Sequence, residues 1–142
     1  MFTNPAPEVI AALLRAARVI AVVGLSPDPT RPSHGVARAL QRFGYRIIPV
    51  NPRVESVLGE PAVASLEQLP EVLAADERVD VVDVFRRPVH VPAIVASCIG
   101  LRLPALWLQD GVVDAASAER AVAAGILTVM DRCIFRDRAV LR

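Results

Sequence analysis

Residues 19–24 read Val-Ile-Ala-Val-Val-Gly, with no polar side chain, and mostly apolar runs return at residues 45–50, 79–85, 104–108 and 126–130. A strand that is apolar at consecutive positions must be covered on both faces, the situation of parallel strands sandwiched between helices. Each run is far shorter than the ~20 residues needed to cross a bilayer. The segments between them carry helical stripes. Val9, Ile10, Leu13, Leu14 and Ala17 share one face of a first helix, and Val36, Leu40 and Phe43 share one face of a second.

Local signals set the expected boundaries. Asn4 caps the first helix with Pro5 at its first position, and Ser33 caps the second, which Gly44 closes. A short edge strand is expected at residues 62–64, then a helix over 66–73 capped by Ser65. A helix over 88–99 tolerates Pro92 within its first turn, where the missing N–H breaks no bond. Asp114 caps a helix that Gly125 ends, and residues 131–142 form a polar tail or short terminal element. Strands alternating with helices predict an α/β, Rossmann-type doubly wound fold. Its mainly parallel sheet takes the order 3-2-1-4-5-6, with helices on both faces. A length of 142 residues suits one domain spanning residues 1–142.

Composition narrows the function classes. Aromatics are 4% of the chain, so Val, Leu, Ile and Ala must fill the core. The formal net charge is +1, too small for a global field that gathers nucleic acid. Any anion must be held by a few local Arg residues. Cys98 and Cys133 have no close Cys or His neighbour in sequence, which fits a reducing, cytoplasmic setting better than a disulfide framework or a metal site. Arg15 and Arg18 precede the first apolar run, but Ser26-Pro27-Asp28-Pro29 follows it in place of a small-residue cleavage site. No membrane segment is expected.

In this fold class ligands lie at the carboxyl ends of the strands, where the strand order reverses. The loop after the first strand contains Gly24, Leu25, Ser26, Pro27 and Arg31 ahead of a helix start. Gly24 lets backbone approach a ligand closely, a helix start favours phosphate, and Arg31 adds a fork of donors. This loop departs from the dinucleotide fingerprint, which needs further glycines where Ser26 and Pro29 stand. The fingerprint also expects an acid closing the second strand, and here Asn51, Pro52 and Arg53 occupy that place. Arg53 would attract a phosphate on the ribose that an acid would repel. NADP and coenzyme A both carry such a phosphate, and the spacing leaves both open.

The loop after the central strand holds Phe85, Arg86 and Arg87. Two adjacent Arg at a strand mouth require an anionic visitor or paired carboxylates, Asp83 and Asp110 being the available ones. In the next loop Gln109 can donate and accept, and Gly111 allows close approach, while Trp107 packs in the core. Cys133 follows the last strand without an evident base beside it, so it reads as a structural thiol. His34 reads as a helix-start residue and His90 as part of an exposed helix face.

Taken in order, several segments carry a resemblance. They are Val22-Val23-Gly24-Leu25-Ser26, Arg31-Pro32-Ser33, residues 44–52, Leu58-Gly59-Glu60, residues 81–87, residues 107–112 and Met130-Asp131-Arg132-Cys133. Together they resemble the small stand-alone CoA-binding proteins (the YccU-like family), over roughly residues 12–133. That family is similar to the N-terminal CoA-binding domain of the succinyl-CoA synthetase α subunit and of ADP-forming acyl-CoA synthetases. The resemblance implies a coenzyme A or acyl-CoA ligand. Gly24, Leu25, Ser26 and Pro27 would approach its phosphates, and Asn51, Pro52 and Arg53 would frame the adenosine end. Phe85, Arg86, Arg87, Gln109 and Gly111 would line the rest of the groove. The chain is too short to hold the synthetases' second domain with its phosphorylated histidine, so synthetase activity is not implied. The expectation is a binding protein for a small-molecule ligand, with no catalytic residues and no nucleic-acid or membrane partner. An NADP-binding oxidoreductase or redox-sensing domain is the alternative, and a thiol enzyme using Cys133 with bound CoA is a third.

Overall fold

The computed structural model describes residues 1–142. Five strands form the main sheet: β1 (Val19–Val23), β2 (Arg46–Val50), β5 (Val81–Val84), β6 (Ala105–Leu108) and β7 (Leu127–Met130). Between β2 and β5, β3 (Ser56–Val57) and β4 (Glu60–Pro61) make a separate antiparallel hairpin. The helices are α1 (Pro7–Ala16), α2 (Pro32–Arg42), α3 (Val91–Gly100), α4 (Ala115–Ala123) and α5 (Ile134–Ala139). All pairings in the main sheet are parallel, in the order β2-β1-β5-β6-β7.

The two-faced apolar runs explain the layering. Along β1, Ile20 and Val22 pack with α1, α2 and α5, while Val19, Ala21 and Val23 pack with α3 and α4. Trp107 is the largest fully buried side chain and sits on the α1–α2–α5 face. Helices therefore cover both faces, as expected of a doubly wound α/β fold.

The expected third strand is reduced. Residues 62–64 supply a single parallel bridge, Val50 with Val63, at the place in the order where strand 3 would stand. Pro61 immediately before it ends the hairpin and lacks a donor N–H, and a 3-10 turn (Leu66–Glu71) begins three residues later, so no ladder can extend. That turn, interrupted by Pro70, replaces the α-helix expected over 66–73. Two expected caps also serve elsewhere. Asn4 precedes the helix start at Pro7 and bridges to Met130 of β7, donating to its carbonyl at 2.9 Å and accepting from its N–H at 2.8 Å. Ser33 lies inside α2, whose N-cap is Arg31. Asp114 caps α4 as expected, accepting from the Ser117 N–H at 3.1 Å.

Candidate functional site

The strand order reverses beside β1, whose chain continues to β2 on one side while β5 flanks the other. A cleft of about 1020 Å³ opens at the carboxyl ends of these strands. It is lined from the loops after β1, β2, β5, β6 and β7 and from the start of α2.

The β1 loop is held close to the β5 loop. Gly24 has φ +83°, and a Cβ there would sit 2.5 Å from the Phe85 carbonyl oxygen and 2.8 Å from Cδ of Arg86. The close approach that needs a glycine is therefore to the neighbouring loop, and it sets where Phe85 and Arg86 stand. Leu25 is fully buried in the core, and its carbonyl accepts from Nδ2 of Asn51 at 3.0 Å. Ser26 donates its N–H to Oγ of Ser33 at 3.0 Å. Pro27 is exposed and does not line the cleft. Leu25 and Pro27 thus fall outside the site: one side chain is taken by the core and the other points to solvent. The remaining candidates, Gly24, Ser26, Arg31, Asn51, Pro52, Arg53, Phe85, Arg86, Arg87, Gln109 and Gly111, all line the cleft.

Its electrostatics follow from which charges are paired. Arg31, Arg53, Arg86 and Arg87 line the cleft, and none of the four makes an ion pair or a side-chain hydrogen bond within the protein. The one acid in the lining, Asp110, is taken by Arg136 of α5 at 2.6 Å. Asp83 does not pair with the arginines either. It is fully buried in β5, level with Val22 and Trp107, and both its oxygens lack a partner. Burial pushes its carboxyl well above the usual value of 3.8. Near the start of α2 the Ser33 N–H has no acceptor within the protein, and Pro32 has no N–H at all. Asp28 shapes the approach to that helix: bonds from the N–H and then the hydroxyl of Thr30 hold its carboxyl below the usual range.

After β6 and β7 the lining carries no unpaired charge, its one acid, Asp110, being neutralised by Arg136. Gln109 is 4% exposed, and its Oε1 accepts from the Ile134 N–H at 3.0 Å. Its side-chain amide N–H groups are left for the cleft. Cys133 and Val112 also line the cleft. Cys133, Asp110 and Ser33 line the cleft although the sequence marks the first two only as strand-end residues and the third only as a cap. Val36 on the inner face of α2 and Pro32 and Pro88 at helix starts join them. His34 is buried at the start of α2 with Nδ1 unpartnered, and His90 is half-buried. Neither lines the cleft.

This arrangement can hold an elongated ligand that is anionic at one end, with neutral hydrogen-bonding and apolar walls at the other. Comparison with known proteins agrees. Residues 18–138 match the family model described as a CoA binding domain. The uncharacterized protein YneT of Bacillus subtilis (strain 168) is 37% identical over 139 residues, 98% of each chain. The structure of cell-free ID.343 from Thermus thermophilus superposes with a TM-score of 0.85 at 39% identity, covering 95% of this chain and 98% of that one. A hypothetical protein from Pyrococcus horikoshii OT3 gives 0.84 at 30% identity, covering 98% and 96%. With a family match across most of its length and a full-length relative well above 30% identity, this chain belongs to the CoA binding domain family.

Proposed function

We propose that this protein binds coenzyme A or an acyl-CoA in the strand-end cleft and acts through that binding rather than through catalysis of its own. The observation that carries the reading is the set of four cleft arginines without a carboxylate partner. Like charges gathered around one cleft repel one another until an anion satisfies them, and coenzyme A brings three phosphates. Arg53, after β2, meets the phosphate on the ribose. Arg31 and the free Ser33 N–H meet the diphosphate, with Arg86 and Arg87 across the cleft. The pantetheine arm then crosses the ends of β5 and β6, where Phe85 offers an apolar wall and the Gln109 amide a donor for its carbonyls.

Thermal unfolding with coenzyme A and with its 3′-dephospho form tests this. Ligand at 100 times its dissociation constant adds about 2.7 kcal/mol, which for a chain of this length raises Tm by about 9 °C. Removing the ribose phosphate forfeits a charge-assisted contact worth ~1.4 kcal/mol or more, so the dephospho form at the same concentration should give about half that rise. Equal protection by both ligands would remove the role given to Arg53.

A further inference from the structure

Cys133 sits at the end of the cleft opposite Arg53, and the chain around it is pinned there. After β7, Asp131 turns back with φ +59°, and its Oδ1 accepts from the Gly111 N–H at 2.8 Å. The Arg132 carbonyl accepts from Nε1 of the buried Trp107, also at 2.8 Å. One residue further on, the Ile134 N–H is held by Gln109. These three anchors hold Cys133 at the cleft wall, where it is 9% exposed and shares the lining with Gln109, itself 4% exposed, whose Oε1 is taken by Ile134 while its amide nitrogen has no partner within the protein. From β2 to β7 there are four strand spacings, roughly 19 Å at ~4.8 Å each. The proposed ligand is built to that plan, with a phosphorylated ribose at one end and a thiol at the tip of a long arm. The other cysteine lies apart. Cys98 is fully buried in α3, where burial, and then Glu67, push its thiol up to about 12.

We propose that Cys133 forms a mixed disulfide with the thiol of coenzyme A held in the cleft. This rests on the coenzyme A reading above. The step is thiol–disulfide exchange with a disulfide of coenzyme A. Sγ of Cys133 bonds to one sulfur as the S–S bond of the incoming disulfide breaks. The proton lost by Cys133 ends on the departing thiol, so no further oxidant is needed. A dithiol reductant reverses the step.

The test incubates the whole chain with coenzyme A disulfide and, separately, with oxidised glutathione, followed by intact mass measurement and peptide mapping. One coenzyme A should add, on Cys133 and not on Cys98, and dithiothreitol should remove it. Positioning in the cleft should make this about tenfold or more faster than glutathionylation. Cys133→Ser should form no adduct; peptide mapping of the unsubstituted chain gives the same answer if that variant fails to fold. An unmodified Cys133, an adduct on Cys98, or equal rates with both disulfides would overturn the inference. Titration with reduced coenzyme A separates the two claims. Binding without an adduct defeats the disulfide alone, and absence of binding defeats both.

Discussion

Replacing Asp83 by asparagine should change how stability depends on pH, in a direction the structure fixes. Asp83 is fully buried between Val22 and Trp107, with no partner for either oxygen, so the native state keeps the carboxyl protonated well above its usual value of 3.8. The unfolded chain releases that proton near the usual value. Below 3.8 both states hold the proton and Asp83 costs nothing through ionisation. As pH rises from there toward the raised native value, the unfolded state alone gains by ionising. Stability then falls by about 1.4 kcal/mol per pH unit, levelling off once the native carboxyl ionises. The Asp83→Asn substitution keeps the shape and removes the titration. Urea unfolding of both proteins at about pH 5 and about pH 6 measures this directly. The stability difference should move in favour of the variant at the higher pH, by up to about 1.4 kcal/mol over that unit. Because other groups titrate alike in both proteins, they cancel. A difference that does not move with pH would mean that Asp83 is ionised or solvated in the native state, and the burial argument would fail.

Three other outcomes follow from named contacts. Gly24→Ala combines a positive φ with a Cβ 2.5 Å from the Phe85 carbonyl, so denaturant unfolding should show a loss of ~2–4 kcal/mol, and coenzyme A affinity should drop as the β5 loop is displaced. Arg86→Ala combined with Arg87→Ala should weaken coenzyme A binding about tenfold or more and flatten its dependence on salt; unchanged affinity in calorimetry would show that these arginines do not meet the ligand. Tyr45→Phe removes the hydroxyl that donates to the Leu14 carbonyl and accepts from Nε of Arg138 at 3.0 Å, joining α1 to α5, and should cost ~1–2 kcal/mol in thermal unfolding.

What could be read before the structure was whatever the chain announces locally. The five strands were visible because short, mostly apolar runs rich in Val, Ile, Ala and Leu suit a sheet covered on both faces, and β1, β2, β5, β6 and β7 fall within a residue or two of those runs. Strand ends then nominated the loops that make the cleft. The misreadings involve partners remote in sequence or side-chain direction. Asn4 has the chemistry of a cap, yet its amide is used by Met130 at the other end of the chain. Leu25 and Ser26 are adjacent, and only the fold decides that Leu25 enters the core while Ser26 lines the cleft. Arg86 and Arg87 could have been neutralised by Asp83 or Asp110; instead one acid is sealed in the sheet and the other is bound by Arg136, a residue of the tail that carried no signal of its own. Cys133 was placed at a strand end by sequence, but its orientation depends on a left-handed turn at Asp131 that a non-glycine residue seldom adopts.

Whether the unpaired arginines of the cleft answer to coenzyme A decides the function of the protein. Calorimetric titration of the protein with coenzyme A and with NADPH, each under reducing conditions, asks that question with two ligands that both carry a phosphorylated ribose. Saturable binding of coenzyme A at one molecule per chain, with no heat from NADPH, is the predicted result. Tight binding of NADPH with none of coenzyme A would contradict it.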